Sequence, residues 1–120
     1  HVGPSSILLG LMASGLDGQN FCFHGYVPKQ SDEQVRTLKL WEQQSKKHQQ
    51  SQIFIETPYR NPALFDALVR TLEPSTRLCV ARALTTEEEW VKTYTVSQWR
   101  NQPPPELNKL PTLFLFQAYA

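Results

Sequence analysis

Cysteine is scarce: Cys22 and Cys79 are the only two in 120 residues. That is too few for a disulfide scaffold, and the pair lacks the C-x-x-C spacing of a zinc site. A reduced, cytoplasmic setting is the default expectation. An excess of one charge is also missing. Twelve Lys and Arg against 11 Asp and Glu leave a formal net charge of +1. No strongly basic field marks a nucleic-acid binder and no acidic block marks a solvating tail. No apolar run exceeds four residues, so no bilayer-spanning helix and no membrane partner are expected. A basic-then-apolar secretory leader is likewise not expected. What remains is ordinary: 40% hydrophobic and 19% charged residues, enough for the packed core of one domain. The chain opens at His1 without an initiator Met and runs directly into Val2-Gly3-Pro4. It therefore reads as an excised domain of a longer protein.

Periodicity places the elements. Ser5 and Ser6 suit a helix cap, and Ile7, Leu8, Leu11 and Met12 follow at helical spacing until Gly15 and Asp17-Gly18. Phe21–Val27 is short and aromatic-rich and predicts a strand ended by Pro28. Ser31 to Gln34 fits a capping box, followed by Val35, Leu38 and Trp41 on one helix face. Beyond Trp41 the chain is polar through Gln50, which suits a solvated helix end or, with Lys46, Lys47 and His48, a phosphate-contacting patch. Gln52–Thr57 is apolar on both faces before Glu56, as in a strand covered on both sides. Asn61-Pro62 predicts a helix start, and Leu64, Phe65, Leu68, Val69 and Leu72 supply its apolar stripe. Leu78–Ala81 and Leu113–Phe116 are further buried strands. Thr85–Glu89 is ambiguous, because Thr86 and Glu89 mimic a capping box while Trp90–Val96 is β-branched and aromatic; a strand is the expectation there. Ser97–Arg100 predicts one helical turn, and Pro103–Pro105 an extended connection. The expected class is α/β, a three-layer sandwich with about five strands in a mixed sheet and helices on both faces.

Catalytic constellations are thin. His1, His24 and His48 lack metal-ligand spacing, so no metal is expected. His24 reads as a satisfied, partly buried imidazole. One segment stands out: Glu56-Thr57-Pro58-Tyr59-Arg60-Asn61 puts an acid, an aromatic and an arginine between a buried strand and a helix. Ligands of open α/β sheets bind in the crevice beyond strand ends, and a helix N-terminus favours anions. A buried Glu56 is costly unless paired, and Arg60 is the nearest candidate partner. A Glu–Arg brace and a ligand role both remain open on these grounds. Arg82-Ala83-Leu84-Thr85-Thr86 leaves the next strand and could line the same crevice.

Three ordered segments carry a family resemblance. Val2-Gly3-Pro4-Ser5-Ser6, Phe54-Ile55-Glu56-Thr57-Pro58-Tyr59-Arg60 and Val80-Ala81-Arg82-Ala83-Leu84-Thr85 resemble successive landmarks of the tetrapyrrole (corrin/porphyrin) methylase superfamily. The branch resembled is that of the small-subunit ribosomal RNA 2′-O-methyltransferases, whose third landmark carries Glu where this chain has Ala83. The resemblance implies the C-terminal domain of a two-domain methyltransferase, with S-adenosyl-L-methionine held between the domains. It implies donor contacts from Gly3, Pro4, Ser5, Ser6, Glu56, Thr57, Ala83, Pro111 and Thr112, and substrate contacts from Tyr59, Arg60 and Arg82. Glu56 and Arg60 are the catalytic candidates. The implied partners are an N-terminal domain of the same protein, a second copy in a homodimer, and an RNA acceptor. The alternatives are methylation of a tetrapyrrole, or a non-catalytic docking or dimerisation module.

Overall fold

The structure, a computed structural model, describes Gly10, residues 14–16, 20–107 and 109–119. The expected capping turn and most of the first helix, together with Gly3, Pro4, Ser5 and Ser6, lie outside the described residues. The elements in chain order are β1 (Phe21–Tyr26), α1 (Ser31–His48), β2 (Ser51–Ile55), a 3-10 turn (Pro58–Arg60), α2 (Asn61–Thr71), β3 (Arg77–Arg82), β4 (Trp90–Thr95), α3 (Val96–Arg100) and β5 (Thr112–Gln117).

The five strands form one mixed sheet in the order β1-β2-β5-β3-β4. Strands β1 and β2 are parallel and joined by α1, whereas β5 lies antiparallel to both β2 and β3, and β4 antiparallel to β3. The parallel pair needs a long crossover, which the helix supplies. The β1 ladder shifts register between Phe23 and Tyr26. Gly25, at φ +76°, takes up that irregularity in a backbone region that a side chain disfavours.

Both faces of the sheet are apolar and buried, as the doubly apolar runs predicted. Phe54, Leu78, Val80, Phe114 and Phe116 face the described helices, meeting Leu38 and Trp41 of α1, Leu64, Phe65 and Leu68 of α2, and Trp99 of α3. Ile53, Ile55, Cys79, Ala81, Leu113 and Leu115 form the opposite face with Leu16. Gly10, which is helical, approaches that face so closely that a Cβ would stand 2.6 Å from Leu113 Cδ2.

Capping differs from the expectation in two places. The N-cap of α1 is Gln30, with no side-chain cap bond, and Gln34 Nε2 instead donates to the Pro28 carbonyl at 3.0 Å. Asn61 is already helical; its amide donates to the Leu110 carbonyl at 2.9 Å and ties α2 to the approach of β5. The complete capping box belongs to α3, where Thr95 Oγ1 accepts the Gln98 N–H and Gln98 Oε1 accepts the Thr95 N–H. Thr86 and Glu89 close turns instead, through Thr86 Oγ1 to the Ala83 carbonyl and the Thr85 N–H to Glu89 Oε1.

The polar stretch after Trp41 remains helical through His48, and part of it points inward. Glu42 is buried and accepts both the Glu73 N–H and the Thr76 hydroxyl, while Ser45 Oγ accepts the Ala118 N–H at 2.8 Å. These positions continue the Leu38–Trp41 face with polar groups, which act as tethers between α1, the α2–β3 turn and the end of β5. Lys46 pairs with Glu73 beside them.

Candidate functional site

Strand direction gathers the resemblance residues at one edge of the sheet. Strands β1, β2 and β3 run the same way and β4 and β5 run opposite. The C-terminal ends of the first three therefore lie beside the starts of the last two. Tyr26, Glu56-Thr57, Arg82-Ala83, Trp90 and Pro111-Thr112 all fall on this edge. Arg82 is paired with both Thr112 and Trp90 in the ladder, and the Ala83 N–H donates to the Pro111 carbonyl at 2.7 Å.

Glu56 follows the last residue of β2 and is only 6% exposed. Its Oε1 accepts the Thr57 N–H at 2.8 Å, and no other described donor reaches the carboxylate. Of the two readings left open, the brace to Arg60 is not formed, since the ion pairs among the described residues are Lys46–Glu73 and Arg70–Asp66. Glu56 and Arg60 instead border the same cavity, about 290 Å³, between α1 and α2. Tyr59, in the 3-10 turn, is 70% exposed. Pro58 and Pro62 set this turn and the start of α2, so Arg60 sits at a helix entry and only half-buried.

The β3–β4 loop has a constrained backbone. Ala83 and Thr85 hold φ of +51° and +68°, which costs a non-glycine residue about 1 kcal/mol or more. Ala83 is buried at the edge between β3 and β5. Arg82 is spent on the fold: Nη1 donates to the Glu106 carbonyl at 2.9 Å, Nη2 lies 3.5 Å from that of Glu88, and the guanidinium stands 5.2 Å over the Trp90 ring. Its Nε, together with Thr57 Oγ1, is buried without a partner at this edge. Thr112 Oγ1 donates to the Leu110 carbonyl at 3.0 Å.

Sequence reasoning missed Lys29, which borders the Glu56–Arg60 cavity together with Arg70. Its signal was the repeated pattern of a strand end, a proline and a following basic residue (Pro28-Lys29 and Pro58…Arg60), which becomes meaningful only once β1 and β2 are neighbours.

His24 is placed away from the edge cluster, as its structural reading implied. Its ring stacks on Trp41 with centroids 3.9 Å apart, its Nδ1 lies 3.8 Å from Cys22 Sγ, and its Nε2 meets Gln52 Oε1. Gln52 spends its own amide N–H groups on Gln50, so its oxygen accepts and His24 carries the proton on Nε2. Burial holds the imidazole pKa below its ordinary 6.5, partly offset by the Gln52 bond. A depressed histidine pKa means the unfolded chain takes up the proton first. Stability is therefore retained above about pH 6.5 and lost as pH falls from there toward the folded value. In urea titrations from pH 7.5 down to about 5, His24→Phe, which keeps the stack, should flatten this decline; a parallel decline in variant and wild type would remove His24 as its source.

Among the described residues no cluster of His, Cys, Asp and Glu could hold a metal ion, and no helix is long and apolar enough to cross a membrane. Cys22 and Cys79 are free thiols, and burial pushes the Cys79 thiol up to about 11.

No protein-family model matches the chain. Curated relatives do. It is 27% identical over 103 residues to the ribosomal RNA small subunit methyltransferase I of Buchnera aphidicola subsp. Baizongia pistaciae. It is 31% identical over 103 residues to the protein of the same name in Bacillus subtilis. Each alignment covers 83% of this chain and 34% of the relative, so the chain spans about a third of the length of the curated relatives it matches. Among solved structures, the methyltransferase CobJ is similar with a TM-score of 0.62 over 93% of this chain and 47% of that one. At 18% identity, that is a likeness of fold. With the three ordered landmarks, two of them converging on one sheet edge, the chain is similar in sequence to the small-subunit ribosomal RNA methyltransferase I proteins and in fold to the methyltransferase CobJ.

Proposed function

We propose that this chain is the C-terminal domain of an S-adenosylmethionine-dependent methyltransferase acting on small-subunit ribosomal RNA. In this reading it contributes one wall of the donor cleft, and the remainder of the intact protein contributes the other. The observation that carries the proposal is the meeting of Glu56-Thr57, Arg82-Ala83 and Pro111-Thr112 on one sheet edge, in a chain similar over 83% of its length to relatives bearing that name.

The residues present suit the donor. Thr57 Oγ1 is a buried hydroxyl without a partner, and the Ala83 turn and the Pro111-Thr112 entry offer backbone groups at the same edge. Thr57, Ala83, Pro111 and Thr112 would hold it, with Gly3, Pro4, Ser5 and Ser6 bordering the site by resemblance. The bound donor supplies the methyl group. The chain's own tasks are alignment of the two reactants and exclusion of water, because an in-line displacement gains most from positioning. Arg82 supports this wall by bracing the 83–89 and 103–111 segments.

Incubating the intact protein with methyl-labelled donor and either total RNA or tetrapyrroles tests the reading. Label in small-subunit ribosomal RNA is expected; label in the macrocycle alone overturns the RNA assignment. With half of the cleft supplied, the 120-residue chain should bind the donor weakly or undetectably in isothermal calorimetry. Binding near micromolar would overturn the need for a second wall.

A further inference from the structure

The cavity between α1 and α2 is distinct from the donor-facing backbone at β3 and β5. Its lining includes Lys29, Glu56, Arg60 and Arg70, with the first turn of α1 beside them. Three cations face one buried carboxylate. Arg82 and Arg100 are spent on backbone carbonyls, and Arg70 pairs with Asp66 on the surface. Lys29 and Arg60 make no ion pair or side-chain hydrogen bond with any described residue. Glu56, 6% exposed, has one described donor for two oxygens. A buried carboxylate so sparsely bonded is costly, and two opposite charges sharing a cavity without touching leave room for a ligand that joins them.

The charge count decides the ligand class. Lys29 and Arg60, with no described ion-pair partner, outnumber the one carboxylate even with Arg70 paired to Asp66, which favours an anion of the phosphate type over an amino-acid zwitterion, and α1 adds its positive end. At about 290 Å³ the cavity is at the small end of ligand clefts, too small for a macrocycle. Tyr26 and Tyr59, 65% and 70% exposed, stand at the adjoining ends of β1 and β2, where aromatic faces can take unstacked bases.

We propose that this groove holds one nucleotide of single-stranded RNA, its phosphate on Lys29, Arg60 and Arg70, a base on Tyr26 or Tyr59, and a donor N–H or hydroxyl on Glu56. The proposal deepens the RNA methyltransferase reading and rests on it. It adds Lys29, Arg70 and Tyr26 to the acceptor surface and gives Glu56 the role of a hydrogen-bond acceptor for substrate.

The test is fluorescence anisotropy of a short labelled single-stranded RNA with the 120-residue chain across a salt series. Lys29→Ala and Arg60→Ala should each weaken binding roughly five- to tenfold and lower the salt slope by about one. Tyr59→Ala should weaken it roughly tenfold with the slope unchanged. Lys47→Ala, at the far end of α1, should bind as wild type. Arg60→Lys, with melting temperatures for all variants, separates lost contact from lost fold: it should recover most of the affinity. Absence of RNA binding, or loss with Lys47→Ala and none with Lys29→Ala, overturns the groove. Inorganic phosphate displacing the RNA at equal concentration makes it a free-anion site and also overturns the proposal. In the intact protein, RNA methylation indifferent to the groove variants removes the groove and keeps the enzyme. Groove-dependent RNA binding without methyl transfer removes the enzyme and keeps the groove.

Discussion

Trp99→Ala is expected to lower the melting temperature by roughly 15 °C, from about 4 kcal/mol of lost stability at about 4 °C per kcal/mol for a chain of this size. Trp99 lies in the short helix α3, yet it is 2% exposed and joins three elements. Its ring stands edge-on to Phe65 of α2 at 5.3 Å and to Tyr94 of β4 at 4.9 Å, and tilted to Trp90 at 6.2 Å. Its indole N–H donates to the Leu78 carbonyl at 2.8 Å. Truncation leaves a cavity that two packed helices and a sheet cannot close, which places the cost at the upper end for large-to-small changes. Trp99→Phe keeps most of the packing and loses the hydrogen bond, so it should cost roughly a third as much. Equal melting temperatures for Trp99→Ala and wild type, by circular dichroism, would show that α3 docks without this anchor.

On the proposed RNA methyltransferase reading, Arg60→Ala in the intact protein should reduce kcat/KM for RNA by roughly tenfold, mostly through KM, and Glu56→Gln by less. Arg60 is a half-buried guanidinium without a partner among the described residues, so on this reading its removal subtracts a charge-assisted contact to substrate and disturbs little else. Gln at position 56 keeps an oxygen for the Thr57 N–H and can still accept from substrate. It differs from Glu in being unable to take up a proton. A larger loss for Glu56→Gln than for Arg60→Ala, concentrated in kcat, would make Glu56 the catalytic base instead of a positioning group.

Some of this was legible in the residues. The apolar runs at Ile53–Ile55, Leu78–Ala81 and Leu113–Phe116 identified strands buried on both faces, because a strand exposed on one face would alternate. The Glu56–Arg60 segment was legible as a site because acid, aromatic and arginine stand together where a strand ends. That Glu56 and Arg60 stay apart was not, because adjacency along a turn does not set where two side chains point. The capping residues of α1 and α2 were displaced by one position, since Gln30 and Arg60 take the cap geometry without a side-chain bond. Glu42 and Ser45 read as solvated because their partners, Thr76 and Ala118, are 34 and 73 residues away.

Local composition and periodicity by themselves determined the α/β class, the five strands and the candidate segments, since each depends on neighbours within a few residues. The scarcity of cysteine and of one-signed charge stands, and basicity proved to be a matter of placement: with a net charge of +1, three cations still share one cavity. Only the tertiary structure decided that β5 inserts between β2 and β3, that strand directions bring residues 56, 83 and 112 to one edge, and that Lys29 joins Arg60. These outcomes depend on long-range pairing, where burial of both sheet faces selects one strand order among many that the same local pattern allows.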